Sequence, residues 1–397
     1  MKRLAVFFDG TWNRPSARTS VCRLHELTAE RDPGGVAQLT WYRPGVGTRW
    51  GEWLRGGVLG FGTSRNVRDA YAWLAENYED GDDVFVFGFS RGAYSARSLA
   101  GMISRCGLLT RDARVSADEV YERYAAEDGR LVPEGRRIDI HFLGVWDTVG
   151  ALGVPWGRIR GLSRSTMQFH NTNPGSRYRN MFQALAIDEH RAEYRPTLWT
   201  AFQREGMPLR ALQPGQTLEQ RWFVGAHCDV GGHRQDPSLA RLPLAWLWER
   251  AEECGLRFTA PVPLDGEEHL LPVSDSFGTF LHGLYRVARL NRRHHRTIGR
   301  GPVRTEGGDG LSHSLNETID GSVFDRWRED GGYRPPNLAA WARRRRCDPA
   351  ALRGTTPAGD AVPAAPRRPR PPLAPRPPRA AVPIAQPRQA GDTAARV

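Results

Sequence analysis

The stretch DVFVFGFSRGAYSARSLAGMI, residues 83–103, decides the fold that we expect for this chain. Its first seven residues are almost entirely apolar, which is typical of a strand buried on both faces of a sheet. A helix is expected over residues 93–106, and the glycine-bounded turn GFSRG between the two, residues 88–92, fits the pattern G-x-S-x-G. Strand, tight turn and helix in this order predict a nucleophile elbow, in which Ser90 projects at the carboxyl edge of the sheet.

The rest of the chain, as far as residue 342, alternates strands with helices. Further strands are predicted at residues 4–8, 36–42, 138–146 and 221–226, and further helices at residues 65–78 and 238–254. This alternation predicts an α/β fold of the α/β-hydrolase type, with a doubly wound, mostly parallel sheet. We assign residues 1–342 to one catalytic domain and expect the long mixed segment 155–220 to form a cap or an insertion.

A serine nucleophile needs a base, and the base needs a carboxylate that orients it. Two later predicted strands end in such groups, Asp147 after HFLGVW and His227 after RWFVGA. Side chains at the carboxyl ends of parallel strands meet at one edge of a sheet. We therefore predict Ser90 as nucleophile, His227 as base and Asp147 as orienting acid, at the ends of three successive strands. Asp229 is the alternative acid, and His313 in LSHSLNE is the alternative base.

The intermediate of such a reaction carries an oxyanion that needs hydrogen-bond donors. The backbone N–H of Arg91, directly after the nucleophile, is the first predicted donor. The loop after the first strand, in VFFDGTWN (residues 6–13), is expected to supply the second through Gly10 and Thr11. A carboxylate would repel the oxyanion, so Asp9 is expected to brace this loop.

Two other chemistries are disfavoured by the residues present. FFDGT resembles the start of a haloacid-dehalogenase-type phosphatase, but Phe7 stands where the nucleophilic aspartate would be. HCDVGGH offers His227, Asp229 and His233 as metal ligands, although three candidates in one glycine-rich loop are a weak signal without a fourth ligand. We predict neither a metal nor a cofactor.

The formal net charge of +12 raises the question of nucleic-acid binding. Residues 343–397 hold twelve arginines and three aspartates, so this segment carries +9 of the total. It is rich in Pro, Ala and Arg and is predicted to be a disordered tail. Because the folded part has little basic excess, no nucleic-acid partner is expected.

The N-terminus and the cysteines favour a cytoplasmic product. Only a short apolar run precedes Asp9, which is too little for a signal-peptide core, and no apolar run of about 18 residues occurs. The 5 cysteines are widely spaced, which favours reduced thiols over a disulfide framework. Export would therefore need a route without an N-terminal signal.

Seven segments together resemble the catalytic domain of the type VI secretion lipase effectors, family 1. They are VFFDGTWN (6–13), RPGVGT (43–48), VFGFSRGAYSARSLAGMI (86–103), FLGVWDTVGALG (142–153), ALAIDEHRAEYRPTLW (184–199), WFVGAHCDVGGH (222–233) and GYRPPNL (332–338). They follow the family's order. The resemblance implies an α/β-hydrolase fold and phospholipase activity from a Ser-Asp-His triad, which falls on Ser90, Asp147 and His227.

Three function classes are compatible with these features. The first is a phospholipase-like or lipase-like ester hydrolase that works through an acyl-enzyme, the second a soluble esterase or thioesterase, and the third a binding protein that keeps the fold without turnover. For the first, the partners are a lipid or another ester and a membrane surface. Segment 41–61, rich in aromatics and arginine, is a candidate lid or interfacial patch, with ordinary core packing as the alternative. The sequence identifies no secretion or immunity partner.

Overall fold

The computed structural model describes residues 1–10, 17–45, 58–126, 132, 134–149, 174–207, 209, 212–232, 238–305 and 310–359. Several sequence predictions fall outside these residues. They concern Thr11, His233, residues 46–57 of the candidate lid, residues 155–173 of the expected cap and the tail from residue 360.

The strands of the described residues are β1 (Arg3–Phe8), β2 (Gln38–Arg43), β3 (Asp83–Phe89), β4 (Leu108–Leu109), β5 (Gly135–Arg136), β6 (Ile140–Trp146), β7 (Tyr178–Ala186), β8 (Thr200–Arg204), β9 (Thr217–Phe223), β10 (Val303–Arg304), β11 (Gly310–Ser314), β12 (Glu317–Ile319) and β13 (Thr356–Pro357). Eight of them form the main sheet in the order β13-β12-β9-β7-β6-β3-β1-β2. All pairs in this sheet are parallel except β12 with β13. The fold is therefore an α/β fold with a mostly parallel sheet.

The helices are α1 (Ser20–Leu27), α2 (Val58–Asn77), α3 (Arg91–Cys106), α4 (Ala117–Ala125), α5 (His227–Gly231), α6 (Arg241–Glu253), α7 (Ser276–Thr279), α8 (Leu284–Ala288), α9 (Gly321–Glu329) and α10 (Pro336–Arg345). Short 3₁₀ turns lie at Ala192–Tyr194, Glu268–Leu270, Phe280–Gly283 and Pro349–Ala351. None of the helices in the described part of the chain is both long enough and apolar enough to cross a bilayer.

Both faces of the sheet are covered by helices, as the continuously apolar strands require. Successive side chains of β1 point to opposite faces. Leu4, Val6 and Phe8 belong to one core together with residues of α2 and α3. Ala5 and Phe7 belong to a second core together with residues of α1 and α6. This double covering is the doubly wound arrangement, and it leaves the two ends of the parallel strands as the places where polar groups can gather.

The prediction of a cap over 155–220 is wrong for its second half, because β7 and the start of β9 lie there. β7 pairs with β6 on one side and β9 on the other, so it is a central strand. Its sequence, YRNMFQALA, hides this position because polar residues interrupt the apolar run. Gln183 is completely buried and bonds to Thr148 and Gln220, which satisfies its amide inside the sheet.

The folded part also extends past the predicted boundary at residue 343. α10 ends at Arg345, and β13 pairs with β12 at the edge of the main sheet. Trp341 is buried, and its indole N–H donates to the carbonyl oxygen of Ala358 at 2.8 Å. The residues that hold this segment to the sheet include few apolar side chains. A boundary based on composition alone was therefore placed too early in the chain.

Candidate active site

Ser90 stands in the turn between β3 and α3, at the carboxyl end of a central strand. Its backbone has φ 57° and ψ −118°, a conformation that L residues rarely adopt. A Cβ on Gly88 would lie 2.4 Å from the carbonyl oxygen of Gly92, and one on Gly92 would lie 2.2 Å from that of Phe8. Backbone thus packs directly against backbone around the turn, and this packing holds Ser90 in its strained position.

His227 and Asp147 form a hydrogen-bonded set with Ser90. The Ser90 Oγ lies 2.8 Å from Nε2 of His227, and Nδ1 of His227 lies 2.5 Å from Oδ2 of Asp147. The three groups follow β3, β6 and β9, and β7 lies between the last two. The expectation of three successive strands is therefore wrong, because β7 was not recognised. His227 still reaches the other two groups because it begins α5, which follows β9 at the same edge.

The charge on Asp147 determines which nitrogen of His227 carries the proton. Burial alone would raise the pKa of Asp147, but the Arg296 guanidinium and the hydrogen bond from His227 outweigh it and hold that pKa well below its usual range. An ionised carboxylate only accepts hydrogen bonds, so Nδ1 of His227 donates to it. In the neutral imidazole Nε2 is then an acceptor, and the Ser90 hydroxyl can donate to it.

Arg296 binds the Asp147 carboxylate through both terminal nitrogens. Nη1 lies 2.6 Å from Oδ1, and Nη2 lies 2.9 Å from Oδ2. Nη1 also donates to the carbonyl oxygen of Ala186 at 2.9 Å, and Nη2 donates to that of Tyr194. Asp147 is 0% exposed and Arg296 is 2% exposed, so this is a desolvated, bidentate ion pair. The sequence did not reveal this ion pair, because nothing in RLNRRHHRTIGR (289–300) distinguishes Arg296 from its neighbouring arginines.

Aromatic rings enclose the His227 imidazole. The Phe89 ring lies 4.8 Å from it, centre to centre, at an interplanar angle of 35°. The Tyr194 ring meets it edge to face at 5.1 Å. A Cβ on Gly231 would lie 1.9 Å from the Phe89 ring, so α5 needs a glycine there to let this ring pack under the imidazole. The rings restrict the orientation of the imidazole and cover part of it with apolar surface.

Glu189 is a second buried carboxylate beside His227. It accepts 2.8 Å hydrogen bonds from Nε and Nη2 of Arg191, a 3.0 Å bond from the Ser276 hydroxyl and a 3.3 Å bond from the backbone N–H of His227. Burial would raise the pKa of Glu189, but Arg191 lowers it to about 2. The Arg191 guanidinium carbon lies 3.5 Å from the centre of the Tyr194 ring. Glu189 therefore fixes the first residue of α5 while Arg191 supports the neighbouring ring.

The two alternative site residues have other partners. Oδ2 of Asp229 accepts from the backbone N–H groups of Ala226 and Ser274, each at 2.9 Å, so this carboxylate braces the turn into α5. His313 lies on β11 in the three-stranded sheet, where its Nε2 is 2.7 Å from Oε1 of Gln203. The Ser90 Oγ is hydrogen-bonded to Nε2 of His227, and Nδ1 of His227 is hydrogen-bonded to Oδ2 of Asp147.

The predicted oxyanion donors differ in their surroundings. Arg91 is the first residue of α3 and directly follows Ser90. The N–H of Gly10 donates instead to Oδ1 of Asp9 at 2.6 Å, so in this conformation it is held by a carboxylate and does not serve as the predicted donor. Oδ2 of Asp9 accepts from Thr19 at 2.7 Å and from Tyr42 at 2.8 Å, so Asp9 braces the loop.

Asp188 links three of the segments that carry the family resemblance. Its Oδ2 accepts from the Tyr333 hydroxyl at 3.0 Å and from the N–H of Gly225 at 2.8 Å. Asn337 donates to the carbonyl oxygen of Ile187 at 2.9 Å. Burial raises the pKa of Asp188 to about 6, against these hydrogen bonds, which lower it. GYRPPNL thus fastens the end of β7 to the turn before His227, a bracing role that the sequence did not reveal.

The described residues contain no group of three His, Cys, Asp or Glu side chains placed to hold a metal ion. Cys228, next to His227, is partly buried, and this burial raises the pKa of its thiol to about 12. A protonated thiol is a weak nucleophile and a weak ligand. Cys228 is therefore a poor candidate for a nucleophile or a metal ligand.

Residues 2–250 match the family described as "T6SS, Phospholipase effector Tle1-like, catalytic domain". An uncharacterised protein of Saccharomyces cerevisiae, YEL023C, is 26% identical over 234 residues, which is 50% of this chain and 33% of that protein. This chain thus spans about a third of the length of that curated relative.

Two solved structures are more distant in sequence. An uncharacterised protein from Pseudomonas aeruginosa is 18% identical with a TM-score of 0.39, and the alignment covers 70% of this chain and 50% of that one. A Tle1 effector bound to the VgrG spike of the type 6 secretion system is 20% identical with a TM-score of 0.32, covering 59% and 51%. The match over residues 2–250 spans most of the sheet together with Ser90, Asp147 and His227, so this chain belongs to the family of Tle1-like phospholipase effector catalytic domains.

Proposed function

We propose that this protein is a serine hydrolase of carboxylic esters whose substrates are phospholipids or related lipids. The observation that carries the proposal is the Ser90–His227–Asp147 hydrogen-bonded set, at 2.8 Å and 2.5 Å, at the carboxyl edge of the sheet. The family to which the chain belongs supplies the substrate class, since it is described as a phospholipase effector family.

In the first half of the reaction the Ser90 Oγ attacks the ester carbonyl while Nε2 of His227 takes the hydroxyl proton. Asp147 stays ionised and stabilises the imidazolium that forms. General-base assistance of this kind is worth roughly 10²–10⁴-fold in rate. The oxygen of the tetrahedral intermediate becomes negative, and the N–H of Arg91 is the proposed donor to it. The intermediate collapses, the alcohol leaves with the proton from His227, and an acyl group remains on Ser90.

In the second half a water molecule replaces the alcohol. Nε2 of His227 removes a proton from the water, the resulting hydroxide attacks the acyl carbonyl, and the carboxylic acid leaves as Ser90 recovers its proton from His227. The strained backbone of Ser90 is consistent with this role, because strain is concentrated at sites that need a side chain in one fixed position.

A substrate panel separates this proposal from the other function classes. The panel contains a short-chain p-nitrophenyl ester, a long-chain p-nitrophenyl ester, an acyl thioester and phospholipid vesicles, each assayed with the wild type and with Ser90→Ala. We expect hydrolysis of esters, a preference for phospholipid vesicles, and loss of activity in the variant. Preference for short soluble esters or thioesters would favour the second class, and no turnover of any substrate would favour a binding protein.

A further inference from the structure

The segment Leu284–Arg293, called the docking strip below, carries an unusual concentration of exposed apolar side chains. Leu284 is 69% exposed, Val287 is 68% exposed and Leu290 is 81% exposed. Among the described residues, these are the three most exposed large apolar side chains. They lie within seven residues, on and just after α8. Single exposed apolar residues are ordinary, but a cluster of this kind marks an interaction surface.

Arginines alternate with these apolar side chains. Arg286, Arg289, Arg292 and Arg293 are all exposed. Arg289 forms an ion pair with Glu193, and Arg293 forms one with Asp275. Within the described ranges, no carboxylate pairs with Arg286 or Arg292. The docking strip therefore offers apolar groups and two uncompensated positive charges in the same place.

The docking strip is fastened to the protein from its inner side. Tyr285 is 3% exposed, and its hydroxyl donates to Glu193 and accepts from the N–H of Ala192 at 3.3 Å. The Tyr285 ring meets the rings of Phe277 and Phe280, each at 5.5 Å. The outward side chains are thus presented by an anchored turn.

The backbone of the docking strip has a left-handed conformation near its C-terminal end. Leu290 has φ 49° and Asn291 has φ 56°, in the left-handed region that is unfavourable for a leucine. Both residues lie just beyond α8, and Leu290 is 81% exposed there. Strain of this kind is retained where the surrounding structure imposes it.

A short chain of contacts joins the docking strip to the catalytic edge. The Tyr285 ring meets that of Phe280, which lies 6.2 Å from the Tyr194 ring, which in turn contacts the His227 imidazole at 5.1 Å. Further along the same segment, the N–H of His294 donates to the carbonyl oxygen of His190 at 2.9 Å, and Arg296 binds Asp147. The docking strip is therefore connected to His227 through packed rings, and to Asp147 through the segment that carries Arg296.

We propose that the docking strip seats the protein on an anionic phospholipid surface. Leu284, Val287 and Leu290 would enter the boundary between headgroups and acyl chains, and Arg286 and Arg292 would contact lipid phosphates. Amphipathic segments with leucine on one side and arginine on the other bind such interfaces through apolar burial together with attraction to anionic lipids. This proposal rests on the proposed function, since it places the catalytic edge against its substrate.

The first test measures binding without hydrolysis. Ser90→Ala protein is sedimented with vesicles of phosphatidylcholine alone or of equal parts phosphatidylglycerol and phosphatidylcholine. We expect stronger binding to the anionic vesicles, weakened by added salt. On this background, Arg286→Gln with Arg292→Gln should weaken binding to anionic vesicles about 30-fold, since each arginine near such a surface contributes about 1 kcal/mol.

The matched control removes two exposed arginines elsewhere, Arg123→Gln with Arg343→Gln, and should leave binding close to that of the parent. Equal weakening by both pairs would show a general charge effect and overturn the docking strip. Equal binding to neutral and anionic vesicles would overturn it as well.

The second test concerns the apolar side chains. Leu284→Ser, Val287→Ser and Leu290→Ser together should lower binding to anionic vesicles by at least about 10-fold, whereas Met207→Ser with Leu264→Ser, two exposed apolar residues elsewhere, should not. Unchanged vesicle binding of the triple variant contradicts the proposal. A dimer in the parent protein that the triple variant loses would assign this surface to a second copy of the chain and would also overturn it.

Failure of membrane docking by the docking strip can be distinguished from failure of the proposed ester hydrolysis. With Ser90 restored, the triple variant should hydrolyse a short soluble ester at a rate within about threefold of the wild type, because the three side chains are exposed and do not belong to the Ser90–His227–Asp147 set. Its activity on anionic vesicles should fall with its binding. If the wild type hydrolyses no ester, the proposed function fails, yet vesicle binding by the docking strip is still tested by sedimentation alone.

Discussion

Arg296 offers a quantitative test of how the site is held together. Arg296→Met keeps much of the length of the side chain but removes its charge and its four hydrogen bonds to Asp147, Ala186 and Tyr194. Asp147 would then be a buried carboxylate held, within the described residues, only by its hydrogen bonds from His227 and from the backbone N–H of Ala186. Removing one member of a buried pair usually lowers the free energy of unfolding by about 3–5 kcal/mol.

Coulomb's law gives a similar magnitude. Two charge centres about 4 Å apart, at an effective dielectric constant of about 20, attract each other by about 4 kcal/mol. Both groups are almost fully buried, so solvent screening does not reduce this figure as it does at a surface. We expect Arg296→Met to lower the free energy of unfolding by about 3–5 kcal/mol at pH 7, measured by urea unfolding.

Acid pH should narrow the difference between wild type and variant. In the wild type the pKa of Asp147 is depressed in the folded state, so its stabilisation is complete above the unfolded pKa near 4 and is lost as the pH falls through the lower folded pKa. Without Arg296 the folded pKa rises, so protonation relieves the buried charge of the variant at a higher pH. The gap should therefore be largest near pH 7 and smaller below about pH 4.

A double-mutant cycle completes this test. Asp147→Asn alone leaves Arg296 buried without its anion, whereas Asp147→Asn with Arg296→Met removes both charges. The double variant should be more stable than the sum of the single changes predicts, by at least about 2 kcal/mol. Additive effects, or a loss below about 1 kcal/mol for Arg296→Met at pH 7, would refute the account of this ion pair.

Two further predictions concern the supports of the site. Gly92→Ala would place a Cβ 2.2 Å from the carbonyl oxygen of Phe8, so we expect the free energy of unfolding, measured by thermal unfolding, to fall by roughly 2–4 kcal/mol and most ester hydrolysis to be lost. Gly331→Ala is the control, because Gly331 has open space around it, and this variant should behave as wild type. Equal behaviour of the two variants would contradict the packing argument. Asp188 has a folded pKa of about 6, above its unfolded value, so its ionisation makes wild-type stability fall as the pH rises from about 4 to about 6. Asp188→Asn should remove this dependence of stability on pH. At pH 8 the variant should be at least as stable as the wild type in urea unfolding, because an amide oxygen can still accept from Tyr333 and Gly225. An unchanged pH dependence would argue that Asp188 is not the titrating group.

The sequence predicted the parts of the fold that depend on local patterns. The strand, the G-x-S-x-G turn and the helix around Ser90 are all contiguous, so their apolar runs and glycines describe them directly. Asp147 and His227 could be proposed because each follows an apolar strand, and parallel strands bring their carboxyl ends together. The structure brings these three residues together.

The features that sequence reasoning missed depend on contacts between distant segments. β7 contains Gln183, whose burial is compatible with a central strand only because Thr148 and Gln220 satisfy its amide. Arg296 resembles its exposed neighbours until the fold places it against Asp147. In each case the residue type predicted solvent exposure, and a partner far away in the chain reversed that preference.

Covalent labelling with a fluorophosphonate tests the central claim most directly, because this reagent traps a serine that is activated as a nucleophile. We expect the wild type to gain the mass of one phosphonyl group, located on Ser90 by peptide mapping, with labelling absent in Ser90→Ala and strongly slowed in His227→Ala. Full activity and labelling in Ser90→Ala, or a label on another residue, would contradict the assignment of Ser90, His227 and Asp147 as the catalytic set.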